Sequence, residues 1–120
     1  LRQNFEFYGD ETLLVFVLFN LFKNSLYYGQ GRVDFKISLS SIITERQNVL
    51  IFRDNGPGVS DELQAHIFEE FVSINNEHGT GLGLAYCKRV MRAFGGDITC
   101  YSILGEFTEF RLEFPPCSSI

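Results

Sequence analysis

The sequence has 120 residues with 15 acidic against 10 basic side chains and a net charge of -5, which offers no basic surface to nucleic acid or anionic membrane. That length fits one domain able to bury about two-thirds of its unfolded surface, and thirteen Phe with five Tyr and no Trp predict an aromatic-rich core. Cys87, Cys100 and Cys117 are odd in number and form no C-x-x-C pair, which fits reduced thiols in a cytosolic protein better than a disulfide framework.

Gln3 to Tyr8 alternates weakly and reads as a short strand, broken by Gly9-Asp10, with Asp10 placed to cap the helix that follows. From Glu11 to Tyr28 nearly every residue is apolar, which predicts a helix buried on most of its circumference. The run Leu13–Phe22 inside it is too short to span a bilayer. Asn20 and Asn24 stand four apart and therefore one above the other on the helix. Two stacked amides on an apolar helix need partners, since leaving one buried and unpaired costs about 1–3 kcal/mol. Backbone groups or buried water would meet that need, and so would a ligand. Gly29 and Gly31 end the helix.

Val33, Phe35, Ile37 and Leu39 alternate with Asp34, Lys36 and Ser38, as in a half-buried strand. Thr44 to Asn48 turns the chain into Val49-Leu50-Ile51-Phe52, apolar throughout like a strand covered on both faces. It runs into Asp54-Asn55-Gly56-Pro57-Gly58. Alternation puts Asp54 on the face of Leu50 and Phe52. Such a residue is commonly a turn former, but at the mouth of a core it can accept a hydrogen bond from an exocyclic amine. The glycines after it let a flat ring approach the backbone.

Ser60-Asp61-Glu62 opens a short helix carrying Leu63, Ile67 and Phe68, then Phe71. Val72 to His78 has little periodicity and reads as a mobile cover. Gly79-Thr80-Gly81-Leu82-Gly83-Leu84 then enters a helix through Met91. This is either a flexible loop with alternating glycines or a phosphate seat built from free N–H groups at a helix start. Gly95-Gly96 stops that helix. Ile98, Cys100 and Ser102 share one strand face, and after Gly105-Glu106 so do Thr108, Phe110, Leu112 and Phe114, with Thr108 at the ligand end. Pro115-Pro116 closes the pattern, and the stretch reads as a domain cut from a larger protein.

The order strand, helix, two strands, short helix, lid, helix, two strands predicts a two-layer α/β (α+β) sandwich, with helices on one side of a mixed sheet. The G-x-G-x-G spacing is not the dinucleotide pattern, and no Lys-Ser or Lys-Thr follows as in a Walker loop.

Four stretches in order, Asn20–Ser25, Asp54–Gly58, Ile67–Phe71 and Gly79–Leu84, resemble the N, first glycine, F and second glycine boxes of sensor histidine kinases. The resemblance covers the whole chain. It implies the Bergerat ATP-binding fold, with ATP and Mg²⁺ as ligands. By matching positions, Asn24 resembles the Mg²⁺ ligand and Asn20 its partner near the phosphates. Asp54 resembles the acid that accepts the adenine amine, with Gly56 and Gly58 shaping the pocket and Thr108 behind it. Phe68 and Phe71 resemble the aromatic hinge of the lid. Gly79, Thr80, Gly81, Leu82 and Gly83 resemble the loop around the triphosphate. In that family the domain passes the γ-phosphoryl group to a histidine on a separate dimerisation domain, with a response-regulator receiver downstream. The resemblance implies a cytoplasmic domain, without membrane contact of its own, in a parent that is an inner-membrane sensor. His66 and His78 lack the acid that follows the acceptor histidine, so the acceptor is expected elsewhere.

Two departures stand out. Tyr27 occupies a position where the family often has Lys, and no Lys or Arg occurs between Arg53 and Lys88 to serve as a basic lid residue. The stretch Phe22–Tyr28 is reminiscent of hybrid kinases of bacterial quorum sensing. The same fold serves gyrase- and chaperone-type ATPases, in which a Glu at the Asn20 position activates water; Asn cannot act as that base. Serine kinases of the anti-sigma type share the fold as well, and the missing basic residues would also suit a degenerate nucleotide-binding module.

Overall fold

The computed structural model describes residues 9–70 and 83–116, so the strand expected at 3–8 and the lid expected at 72–78 lie outside the described residues. The first element, α1, is Glu11–Tyr28, with the bounds the sequence predicts. Asp10 caps it as expected, its side chain accepting a hydrogen bond from the Leu13 N–H at 3.2 Å. At the other end the Gly29 N–H donates to the Ser25 carbonyl at 2.9 Å.

Burial of α1 departs from expectation. Only Val17, Leu21 and Ser25 are buried, a single stripe at four-residue spacing, whereas Val15, Phe16, Phe19 and Leu26 are more than half exposed. The helix is apolar all round, yet only this stripe is fully buried, with Leu13, Leu14 and Leu18 partly buried against the core beside it.

Two strands follow, β1 Ile37–Ile43 and β2 Asn48–Asp54, then a single helical turn, α2, at Asp61–Gln64. Ser60 caps α2, accepting from the Leu63 N–H at 3.3 Å, but Ile67 and Phe68 lie in the turns after it rather than on the helix. The third helix, α3, is Gly83–Ala93, and β3 Asp97–Ile103 and β4 Phe107–Phe114 complete the described elements. The strand expected from Val33 begins four residues later. Val33 is 94 % exposed, and the Asn55 side chain ties up the backbone before β1, accepting from the Lys36 N–H and donating to the Asp34 carbonyl, each at 2.7 Å. Phe35 turns its ring against Gly29 and Gly56 instead of alternating along a sheet.

The sheet order is β1-β2-β4-β3, and all three described pairings are antiparallel. No parallel pair, which a mixed sheet requires, lies among the described strands. Phe52, Ile98, Phe110, Leu112 and Phe114 turn inward to meet Val17 and Leu21 of α1 and Leu84, Cys87, Val90 and Met91 of α3. The two helices lie together on that face, with Phe16 edge-on to Tyr86 at 6.5 Å between ring centres. The architecture is a two-layer α+β sandwich. No helix among the described residues is long and apolar enough to cross a membrane.

Candidate functional site

Where β2, β4 and β3 run side by side, Asp54 pairs with Thr108 and Thr108 with Ser102, so three oxygen-bearing side chains form one row on the inner face. All three are buried. Burying a carboxylate demands hydrogen bonds, and Asp54 has them. Its Oδ2 accepts from the Ser25 hydroxyl at 2.7 Å and its Oδ1 from the Gly56 N–H at 2.8 Å. The Ser102 hydroxyl donates to the Phe107 carbonyl at 2.6 Å and accepts from the Val59 N–H at 2.7 Å. Its single proton is thus committed, so in the 3.4 Å contact between Ser102 Oγ and Thr108 Oγ1 the threonine is the donor.

Asp54 and Thr108 of this row floor an open cleft, whose empty volume of about 340 Å³ includes the solvent at its mouth, while Ser102 lies behind them. Asn24, Ser25 and Tyr28 of α1 form one wall, Pro57, Gly58 and Val59 the other, and Thr108 and Phe110 lie below. The second wall is braced by the β3–β4 hairpin, whose Gly105 N–H donates to the Pro57 carbonyl at 2.6 Å. Gly58 has a φ of +75° and lies against the Ile103 carbonyl, so a Cβ there would collide with backbone. Gly56 is constrained differently: a Cβ would stand 2.9 Å from the Asp54 Oδ1 that its N–H binds.

Of the residues singled out in the sequence, Asn24, Asp54, Gly58 and Thr108 meet in this cleft, with Gly56 directly behind the carboxylate. Asn20 lies one turn away along α1. Its Nδ2 donates to the Phe16 carbonyl at 3.0 Å, and its Oδ1 would stand 2.9 Å from a Cβ on Gly83, the first residue of α3. The N-box helix and the glycine helix therefore approach each other at Asn20 and Gly83. Phe68 packs edge-on against Phe110 with ring centres 6.2 Å apart, beneath Lys88 Nζ at 4.9 Å. Phe71, Gly79, Thr80, Gly81 and Leu82 lie outside the described residues. Ser25 is the site residue that the sequence did not single out. Its place four residues after Leu21 and eight after Val17 tells only once the structure shows that this is the buried stripe of the helix.

Among the described residues, the lysines nearest the expected phosphate site in sequence are engaged elsewhere. Lys23 sits 5.9 Å from the Phe19 ring centre. Lys88 donates to the Ile98 carbonyl at 2.7 Å and pairs with Asp97 at 2.8 Å. Burial works to raise the Asp97 pKa, but hydrogen bonds from Lys88 and the Ile98 N–H, with the charges of Lys88 and Arg92, outweigh it and hold that carboxyl below its usual value. Cys100 is pushed up to about 12 by burial first, then by Asp54 and Glu109, and Cys87 to about 12 by burial, so both thiols stay protonated at neutral pH.

Residues 9–118 match the family model described as histidine kinase-, DNA gyrase B-, and HSP90-like ATPase. The chain is 50 % identical over 106 residues to the autoinducer 1 sensor kinase/phosphatase LuxN of Vibrio harveyi, covering 88 % of this chain and 12 % of that protein. It is 43 % identical over 114 residues to the CAI-1 autoinducer sensor kinase/phosphatase CqsS of Vibrio cholerae, covering 95 % and 16 %. The chain thus spans less than a fifth of these curated relatives. Among solved structures, the catalytic domain of histidine kinase ThkA superposes with a TM-score of 0.79 at 26 % identity, over 95 % of this chain and 73 % of that one. Full-length ShkA in complex with AMPPNP superposes with a TM-score of 0.76 at 30 % identity, over 92 % and 23 %. This chain belongs to the histidine kinase-, DNA gyrase B- and HSP90-like ATPase family, as a catalytic ATP-binding domain of the sensor histidine kinase kind.

Proposed function

We propose that this chain binds Mg-ATP in the Asp54 cleft and donates the γ-phosphoryl group to a histidine on a separate dimerisation domain of its parent protein. The observation that carries the proposal is the buried Asp54 carboxylate, pinned by Ser25 and Gly56 at the floor of a cleft walled by the end of α1 and by the Pro57–Val59 loop. An acceptor so placed suits the exocyclic amine of adenine and repels the carbonyl that guanine carries at the same position.

The residues fit the remaining parts of the nucleotide. Asn24 lines the cleft, and its amide has no hydrogen-bond partner among the described residues, which leaves its oxygen available to a hard cation. Mg²⁺ in such a place neutralises charge on the phosphates, which is most of what phosphoryl transfer asks of a site. Gly83 lets the start of α3 come close to Asn20, so N–H groups at that helix end lie beside the N box. Asn20 lacks the basicity to activate water, which favours transfer to an acceptor over hydrolysis.

The parent, in this reading, is an inner-membrane autoinducer sensor that holds the domain in the cytoplasm and passes the phosphoryl group on to a receiver. The names of the two Vibrio relatives support its autoinducer part. The catalytic side of the proposal is tested with Asn24→Ala and a supplied histidine domain. Mg²⁺-dependent transfer is expected to be abolished while the melting temperature holds. Transfer at the wild-type rate would remove Asn24 from the mechanism.

A further inference from the structure

We infer that Ser25 is a specificity-determining residue, whose hydroxyl fixes the Asp54 carboxylate in the rotation that accepts the base's exocyclic amine. This rests on the adenine assignment proposed above. Ser25 is the one polar member of the buried stripe Val17, Leu21, Ser25 on α1. A serine inside a helix ordinarily turns its hydroxyl to the carbonyl four residues back or to solvent. Ser25 instead reaches 29 residues along the chain and meets Asp54 at 2.7 Å, a length typical of a hydroxyl bound to a charged oxygen.

The second carboxylate oxygen is held from another direction, by the Gly56 N–H at 2.8 Å. The terminal torsion of an aspartate is soft, so one donor leaves the carboxylate free to swing. Two donors on different oxygens, one from α1 and one from the loop after β2, fix its plane. The lone pairs that remain belong to a residue that lines the cleft. Ser25 lines the cleft too, and a hydroxyl whose only proton is given to Asp54 has none left for a base carbonyl. The pair therefore presents acceptors alone. Preorganisation of this kind removes an ordering cost that would otherwise be met on binding.

The test is a set of calorimetric titrations of the wild-type chain and Ser25→Ala with two Mg²⁺ nucleotides, ATP and purine riboside triphosphate. The second lacks the exocyclic amine. The wild type is expected to prefer ATP. Ser25→Ala is expected to lose about fivefold to tenfold in ATP affinity, at most about 1.4 kcal/mol, and less than about twofold for the amine-free nucleotide. Ser25→Cys, of similar volume but a weak donor, is expected to repeat the selective loss, and it is read by the same criteria if the alanine variant does not fold. Equal losses for both nucleotides would reduce Ser25 to a packing residue, and no loss for either would also overturn the inference. A wild type that binds both nucleotides equally would overturn the adenine assignment and this inference with it, a result distinct from the other two.

Discussion

Three neighbouring rows cross the inner face of the same three strands: Leu50–Leu112–Ile98, Phe52–Phe110–Cys100 and Asp54–Thr108–Ser102. The first two rows belong to the core or pack against it. The third is equally buried but carries only oxygen-bearing side chains. Backbone geometry is shared, so the difference lies in what each row meets. The apolar rows face α1 and α3. The polar row faces the end of α1, where Ser25 replaces another apolar residue, and the Gly56–Val59 loop, which supplies N–H donors. A polar row is tolerated in a core when every member has its hydrogen bonds, and it becomes a site when lone pairs are left over. Phe110 belongs to both regions, packed in the core and lining the cleft.

The largest effects separate the rows directly. Leu112 is fully buried, and Leu112→Ala should cost about 2–5 kcal/mol of stability in denaturant titrations. Asp54→Ala leaves the Ser25 hydroxyl and the Gly56 N–H without their acceptor, so it should destabilise the fold by about 1 kcal/mol, less than Leu112→Ala does, while weakening ATP binding by about 2–3 kcal/mol, the worth of a charged buried hydrogen bond. If the two variants destabilise the fold equally, the rows do not differ in the way described.

A smaller effect concerns the phosphates. Since Lys23 and Lys88 are engaged away from the cleft, Mg-ATP and Mg-ADP should bind within about tenfold of each other, a gap of about 1.4 kcal/mol. A preference for ATP of a hundredfold or more would require a cation that reaches the γ-phosphate.

The smallest lies at the far end of the sheet. Asp97 has a lowered pKa in the folded chain, so its pairing with Lys88 contributes stability above the ordinary aspartate range and loses it as pH falls through the lowered value. Melting curves from pH 6 to about 3 should show this loss, and Lys88→Met should flatten it. ATP binding at neutral pH should be untouched by it.

The sequence discloses much of this because the polar row and its loop are written as local patterns. Alternation puts Asp54 with Phe52 and Thr108 with Phe110, as the pairing has it. The bounds of α1 are legible from Asp10 and Gly29. Its burial is not, because a helix apolar all round carries no periodic signal to mark which stripe meets the sheet, and five of its large apolar side chains remain exposed. Ser25 escapes notice for the same reason: its importance lies in a partner 29 residues away. The start of β1 is illegible because alternation from Val33 competes with side-chain bonds from Asn55, a residue from another part of the chain.

The central claim is that Asp54 reads the amine of adenine from the floor of this cleft. Competition between ATP and GTP for the wild-type chain, with Mg²⁺ present and binding read by calorimetry, tests it most directly. ATP is expected to displace GTP with a preference of at least about thirtyfold, matching the 2–3 kcal/mol assigned to the Asp54 hydrogen bond. Equal competition by the two nucleotides would contradict the account.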